Sequence, residues 1–190
     1  MNVKSLFILL LTTVLTFSTL YTPQPILPLL AQEFSVSGSE ISLLISLTLF
    51  PLGLMPIIYG YLIDNVSART ILHWFIGMLA VTELSLAFVS DFRIMLVFRL
   101  LQGLLLPAIF TAIVTYISNH SSADQRQKSI SSYIAATIIG GFAGRFLTGL
   151  ISDISDWRVA FMVWTVGLFA AWTLLWLLKK DTPVQSSRFP

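Results

Sequence analysis

The sequence predicts an all-α integral membrane protein, a bundle of six membrane-crossing helices. Three observations predict it. Hydrophobic residues make up 56% of the 190 and charged ones only 11%, too few to solvate an ordinary soluble domain. Apolar runs of about 20 residues, the length that crosses the hydrocarbon layer, follow one another with little between them. Backbone amides cannot go unpaired in lipid, so these runs, rich in Leu, Ile, Phe and Val, must be helices rather than strands. A mean hydropathy of +0.86 agrees.

The spans are expected at 6–28, 41–63, 70–90, 93–117, 129–151 and 157–178, with a charged tail over 181–190. Between the third and fourth only Ser90, Asp91, Phe92 and Arg93 interrupt the apolar run. Fusing them would give one helix of more than about 40 residues, too long for a single crossing, so a tight turn is expected there. Lys4, Arg69, Arg126, Lys128, Lys179, Lys180 and Arg188 fall at the amino end, after spans two and four, and after span six. The opposite side carries only Arg93 and Arg158. The positive-inside rule then places both termini of this multi-pass chain in the cytoplasm.

Other classes fare worse. A secretory signal would use Lys4 and the run Leu6 to Leu20, but the apolar run continues to Leu30 with no small-residue cleavage site after it. The absence of cysteine excludes disulfides, thiol chemistry and cysteine-held metal. A net charge of +2 is accounted for by the basic loops and gives no reason to expect nucleic-acid binding. Asn65-Val66-Ser67 and Asn119-His120-Ser121 fit a glycosylation pattern, but both lie on the expected cytoplasmic side.

The first span ends irregularly. Pro23, Pro25 and Pro28 each remove an amide donor, and Gln24 adds a polar group at the same level. Two readings stand: the outer end of a pathway-lining helix, with Tyr21 and Gln24 facing substrate or an outer gate, or a helix that stops early and is capped by a loop. In span two, Pro51, Gly53 and Pro56 mark a bend.

Three ionisable residues fall inside spans: Glu83, Arg99 and Arg145. A charge in hydrocarbon is costly, so such residues face protein or water and mark functional sites. Each lies roughly 9–10 Å in from the outer end of its helix, and the three are expected to form one polar layer. Arg99 is expected to face the interior, compensated by Glu83 or a backbone carbonyl. Snorkelling outward is the alternative for each. In span five, Gly140 and Gly144 have the spacing that lets helices approach closely, and Gly149 follows.

His73 is expected to pack or to touch headgroups, and His120 to be solvated in a loop. Trp157 and Trp176 are expected at the two interfaces of span six, with Trp164 and Trp172 packing or facing lipid between them. No nucleophile–base pair, paired carboxylates, metal cluster or phosphate-binding glycine loop is present in the pattern. The sequence thus predicts no enzyme, no catalytic residue, no metal and no cofactor.

Four segments together resemble the amino-terminal half of a major facilitator superfamily transporter. After span two, Gly60, Leu62, Asp64 and Arg69 match the family's Gly-x-Leu-Ala-Asp-Arg-x-Gly-Arg-Arg loop, with Asn65, Ser67 and Ala68 in place of Arg, Gly and Arg. Arg99, Gln102 and Gly103 match Arg-x-x-Gln-Gly in span four. Gly140, Gly144 and Gly149 are similar to the antiporter signature of span five, with Arg145 where a Pro is expected. Asp156-Trp157-Arg158 matches the Trp-Arg pair that opens span six. Tyr21-Thr22-Pro23-Gln24-Pro25, then Glu33-Phe34 and Val36-Ser37, resembles bacterial drug and sugar efflux permeases.

The resemblance implies one half of the major facilitator fold and a proton-coupled efflux permease. Gly60, Asp64 and Arg69 would form the inner gate, and Arg99, Gln102, Arg145 and Glu83 would serve transport or coupling. It implies a small-molecule substrate, protons and surrounding lipid as partners. Family members pair two six-span halves around the path, so this chain is expected to be incomplete and inactive alone. The alternatives are a half-transporter that pairs with itself or with a separate carboxy-terminal half, and a membrane scaffold that transports nothing.

Overall fold

The structure is a computed structural model that describes residues 1–181, apart from the side chains of residues 61–64. It is all helix among the described residues: α1 (Val3–Tyr21), a 3-10 turn (Gln24–Ile26), α2 (Leu27–Glu33), α3 (Gly38–Ile41), α4 (Leu43–Asn65), α5 (Ala68–Ala87), α6 (Phe92–His120), α7 (Ala123–Ile154), α8 (Trp157–Leu174) and a closing 3-10 turn (Leu175–Leu177). Among the described residues six helical stretches are long and apolar enough to cross a membrane, from Val3–Glu33 to Trp157–Leu177.

Helix starts are set by short polar side chains that satisfy first-turn amides. Asn2, Ser67, Asp91 and Asp156 each accept a backbone N–H from the helix they open. Asp91 is the device that separates spans three and four. Its carboxylate accepts from the amides of Arg93 and Ile94, so the apolar run turns there instead of continuing.

The first span breaks where the prolines fall. In an unbroken helix the amides of residues 23 and 25 would bond the carbonyls of Thr19 and Tyr21, but both positions are proline. The helix stops at Tyr21, passes through one 3-10 turn and resumes as α2 to Glu33. Pro23 to Pro28 are therefore not a loop cap, and the helical stretch runs five residues past the expected end at Pro28. Pro28 is tolerated because it stands in the first turn of α2, where no amide donor is required. At the far end of α2, Ser35 takes a left-handed φ of 52°. The Val36 amide donates to Ala31 and that of Ser35 to Gln32, a Schellman closure that glycine fills more cheaply.

Packing is pairwise. α1 lies along α7, α4 along α6, and α5 between α6 and α8. The α1/α7 seam is made by the two glycines spaced four apart. A Cβ on Gly140 would sit 2.5 Å from the Val14 carbonyl, and one on Gly144 would collide with the Ser18 backbone. Ser18 Oγ also donates to the Gly140 carbonyl at 3.0 Å. Gly103 does the same for α6 on α4, where a Cβ would meet the Thr48 carbonyl at 2.6 Å. At Gly149 the nearest atom would be Pro25 Cβ at 3.6 Å, an ordinary contact, so the close approach ends one turn earlier.

One further expectation is corrected. His120 is the last residue of α6, stacked on Tyr116 at 4.0 Å, rather than a solvated loop residue. Trp157 is buried, donating to Glu33 from its indole N–H, because Phe34 of the chain after α2 folds over it. Trp176 is 61% exposed.

Two stability predictions follow from these contacts. Replacing Gly144 with Leu should cost about 1–3 kcal/mol by forcing α7 off α1. Ser35→Gly should raise stability by about 1 kcal/mol. Detergent-titrated unfolding of each variant checks both.

Candidate functional site

Arg99 is placed on α6 so that its side chain crosses the bundle interior, and it is fully buried. Its Nε donates to the Leu44 carbonyl at 3.2 Å, and Nη2 donates to Leu20 at 3.0 Å. Nη1 donates to the Thr19 carbonyl at 3.4 Å and to Gln102 Oε1 at 2.6 Å. Two of these acceptors belong to the frayed end of α1, and Thr19 is a carbonyl orphaned by Pro23. At Thr19 the guanidinium thus supplies the donor that Pro23 removes. Its fork geometry suits this, with several N–H groups pointing at separate carbonyls.

Gln102, one turn further along α6, relays the contact. Its Nε2 donates to Glu83 Oε2 at 2.6 Å, while its Oε1 accepts from Arg99. Glu83 on α5 is also fully buried, and its Oε1 has no protein partner. The chain Glu83–Gln102–Arg99–Thr19/Leu20 therefore joins three spans.

Arg145 does not join that group. It lies on the exposed face of α7, where Nε donates to Gln24 Oε1 at 2.7 Å and Nη1 to the Gly141 carbonyl at 2.9 Å. Its guanidinium carbon stacks 3.7 Å from the centre of the Tyr21 ring. The expected single polar layer is thus two clusters on opposite sides of one stretch of α1, Thr19 to Tyr21. The separation arises because Gly140 and Gly144 hold α7 against α1, which shields Arg145 from the interior.

The basic residues gather at one end of the bundle. The amino terminus donates to Gln125 Oε1, Tyr116 donates to the Lys179 carbonyl, and Arg69 Nη2 donates to the Trp176 carbonyl at 2.8 Å. The Arg69 amide is capped by the Asp181 carboxylate at 3.3 Å. Gly60 has open space around it. The side chain of Asp64 and residues 182–190 lie outside the described residues.

At the other end Glu33 is a residue that sequence reasoning left without a role. It pairs with Arg158 at 2.7 Å and accepts from Trp157, and so clips α2 to α8. The signal was partial: Glu33 is one of several acids expected on the same face as the Trp-Arg pair. Nothing in the sequence showed that they meet.

Long apolar crossings joined by buried polar links define a multi-pass membrane protein. The chain belongs to the Major Facilitator Superfamily, whose profile matches residues 9–190. Members are carriers and not enzymes. The chain is 32% identical over 157 residues to the inner membrane transport protein YnfM of Escherichia coli, covering 82% of this chain and 37% of that one. It is 29% identical over 157 residues to the MFS-type transporter YybF of Bacillus subtilis, covering 82% and 38%. The chain thus spans less than two fifths of the length of these relatives. Its fold is that of a peptide transporter POT, with TM-score 0.82 at 16% identity, over 92% of this chain and 37% of that one. A bacterial homologue of the lysosomal transporter Spinster, in an inward-facing state, gives TM-score 0.82 at 16% identity over 97% and 46%.

Arg99→Leu should destabilise the bundle by about 3–5 kcal/mol, because it leaves buried acceptors without donors. Glu83→Gln keeps an acceptor for Gln102 and should shift stability by less than about 1 kcal/mol. Unfolding of the two variants in detergent tests the difference.

Proposed function

We propose that these residues form the amino-terminal half of a proton-coupled efflux permease, and that the exposed α1/α7 face is one wall of its path. Arg145 carries this reading. It sits eight residues before Asp153, about 12 Å deeper along α7, yet it lies on the outside of the bundle with Gln24. Arginine at membrane depth needs protein or water in front of it rather than lipid. A second six-helix bundle over that face, with a water-filled path between, supplies both.

In this reading Glu83 takes up the proton at its free oxygen. Gln102 and Arg99 pass the change to the carbonyls of Thr19 and Leu20. These lie beside Tyr21, on whose ring Arg145 rests, so proton binding behind α1 is felt on the path side in front of it. Gly60, Asp64 and Arg69 lie by the inner gate. The end that gathers the amino terminus, Arg69, Arg126, Lys128 and Lys179 is cytoplasmic, in keeping with the positive-inside rule. One bundle offers one wall, so the 190-residue chain alone does not transport. The coupled ion is a proton and the cargo a small molecule.

Whole-cell export of a drug and sugar panel from an efflux-deficient bacterium tests this. The chain should export nothing alone. It should gain proton-driven export when co-expressed with the remaining segment of the Escherichia coli relative, and lose it again in Arg99→Gln. Export by the chain alone, lost in Arg99→Gln, would instead establish pairing with itself. Retained export in Arg99→Gln would remove the coupling role.

A further inference from the structure

We propose that the groove between α5 and α8 is a binding site for one anionic phospholipid of the leaflet at the basic end of the bundle. This assignment rests on the groove itself and not on the transport reading. The groove encloses about 700 Å³. Its walls are Trp74, Met78 and Val81 on α5, and Phe169, Trp172 and Trp176 on α8 and the turn that follows. Its floor opens at Gly77, where a Cβ would stand 2.9 Å from the Trp172 indole nitrogen. The indole fits against that position because glycine leaves room for it.

Two of the polar atoms along the groove are already bonded within the bundle. The Trp172 indole N–H donates to the His73 carbonyl at 2.8 Å, and Thr82 Oγ1 donates to the Leu79 carbonyl at 2.8 Å. Apart from the His73 ring and the indole N–H groups of Trp74 and Trp176, a ligand seated here meets hydrocarbon and aromatic faces, which suits an acyl chain. The length agrees. From His73 to Thr82 the helix rises about 14 Å, half of the roughly 30 Å hydrocarbon layer. That is the reach of one leaflet.

The mouth carries the charge that chooses the headgroup. Arg69 stands one turn before His73 and is tied by one N–H to the Trp176 carbonyl at the groove's rim. Among the described residues its other guanidinium N–H groups have no acceptor, leaving them for a phosphate. Lys180 follows the α8 end of the groove, whereas Lys179 lines the space beside Met1, Tyr116 and His120. Asp181 lies at the Arg69 amide, so Arg69 and Lys180 stand there against one acid. His73 is packed between Trp172 at 5.0 Å and Trp176 at 4.2 Å, which fixes both rings as walls. A basic mouth over an apolar interhelical groove is the arrangement that retains anionic lipid. A second copy of the chain is a poorer fit, since close helix contact uses small residues and this rim is built of tryptophan.

The test is tryptophan quenching in vesicles of phosphatidylcholine, with mid-chain brominated lipid added as either phosphatidylglycerol or phosphatidylcholine. The brominated phosphatidylglycerol should be preferred about fivefold. Val81→Phe fills the groove from a position that is 54% exposed, so the fold is retained, and it should remove that preference. Arg69→Gln should leave both lipids quenching equally. Equal quenching by the two lipids in the unaltered chain would overturn the proposal. So would a preference untouched by Val81→Phe, or a dimer whose groove tryptophans neither lipid quenches.

Discussion

The buried guanidinium of Arg99 is the contact on which the rest of the bundle depends. A cation inside a membrane bundle is costly unless every donor finds an acceptor. Here the acceptors are backbone carbonyls of α1 and α4 and the amide of Gln102. The debt is mutual, because the prolines after Tyr21 leave α1 carbonyls without amides of their own. A break that would be unstable in lipid is stabilised by a side chain from another span. Removing either partner exposes the need of the other.

Close packing sets this geometry. Gly140 and Gly144 bring α7 onto α1, and Gly103 brings α6 onto α4, so Arg99 can reach both first-half spans from one position. The same close seam turns Arg145 outward and onto Tyr21. Two arginines with different surroundings therefore act on adjacent residues of one helix. One is enclosed among carbonyls, and the other rests on an aromatic face at the surface. The α1 break lies between them, which makes it the part of the bundle best placed to respond to both.

Much of this was legible in the residues. Apolar run lengths gave six helices, and the expense of buried charge singled out Arg99, Glu83 and Arg145. The i, i+4 glycines announced a seam, although not which helix they would meet. Partner identity was the illegible part, because it depends on side chains more than a hundred residues apart. Arg145 with Gln24 and Glu33 with Trp157 are of this kind. Depth along a helix can be counted from sequence, but the face a residue takes depends on rotation and on neighbours. Three residues at one level were for that reason expected together and are found as two groups. The end of the first span was misjudged for a local reason: proline interrupts a helix without forbidding its resumption one turn later.

The distance along the chain between partners also orders assembly. Spans enter a membrane as they are made, amino end first. When the first two are in place, the donor that completes the end of α1 has not been synthesised, since it arrives with the fourth. The glycine seam that holds α1 comes later still, with the fifth. The first helix therefore waits through most of synthesis with open carbonyls and no close neighbour of its own. In that interval it depends on water, on headgroups or on the insertion machinery itself. Slow completion of the fourth and fifth spans would leave α1 free to slip in depth, so the order of translation sets when this bundle first acquires its final shape.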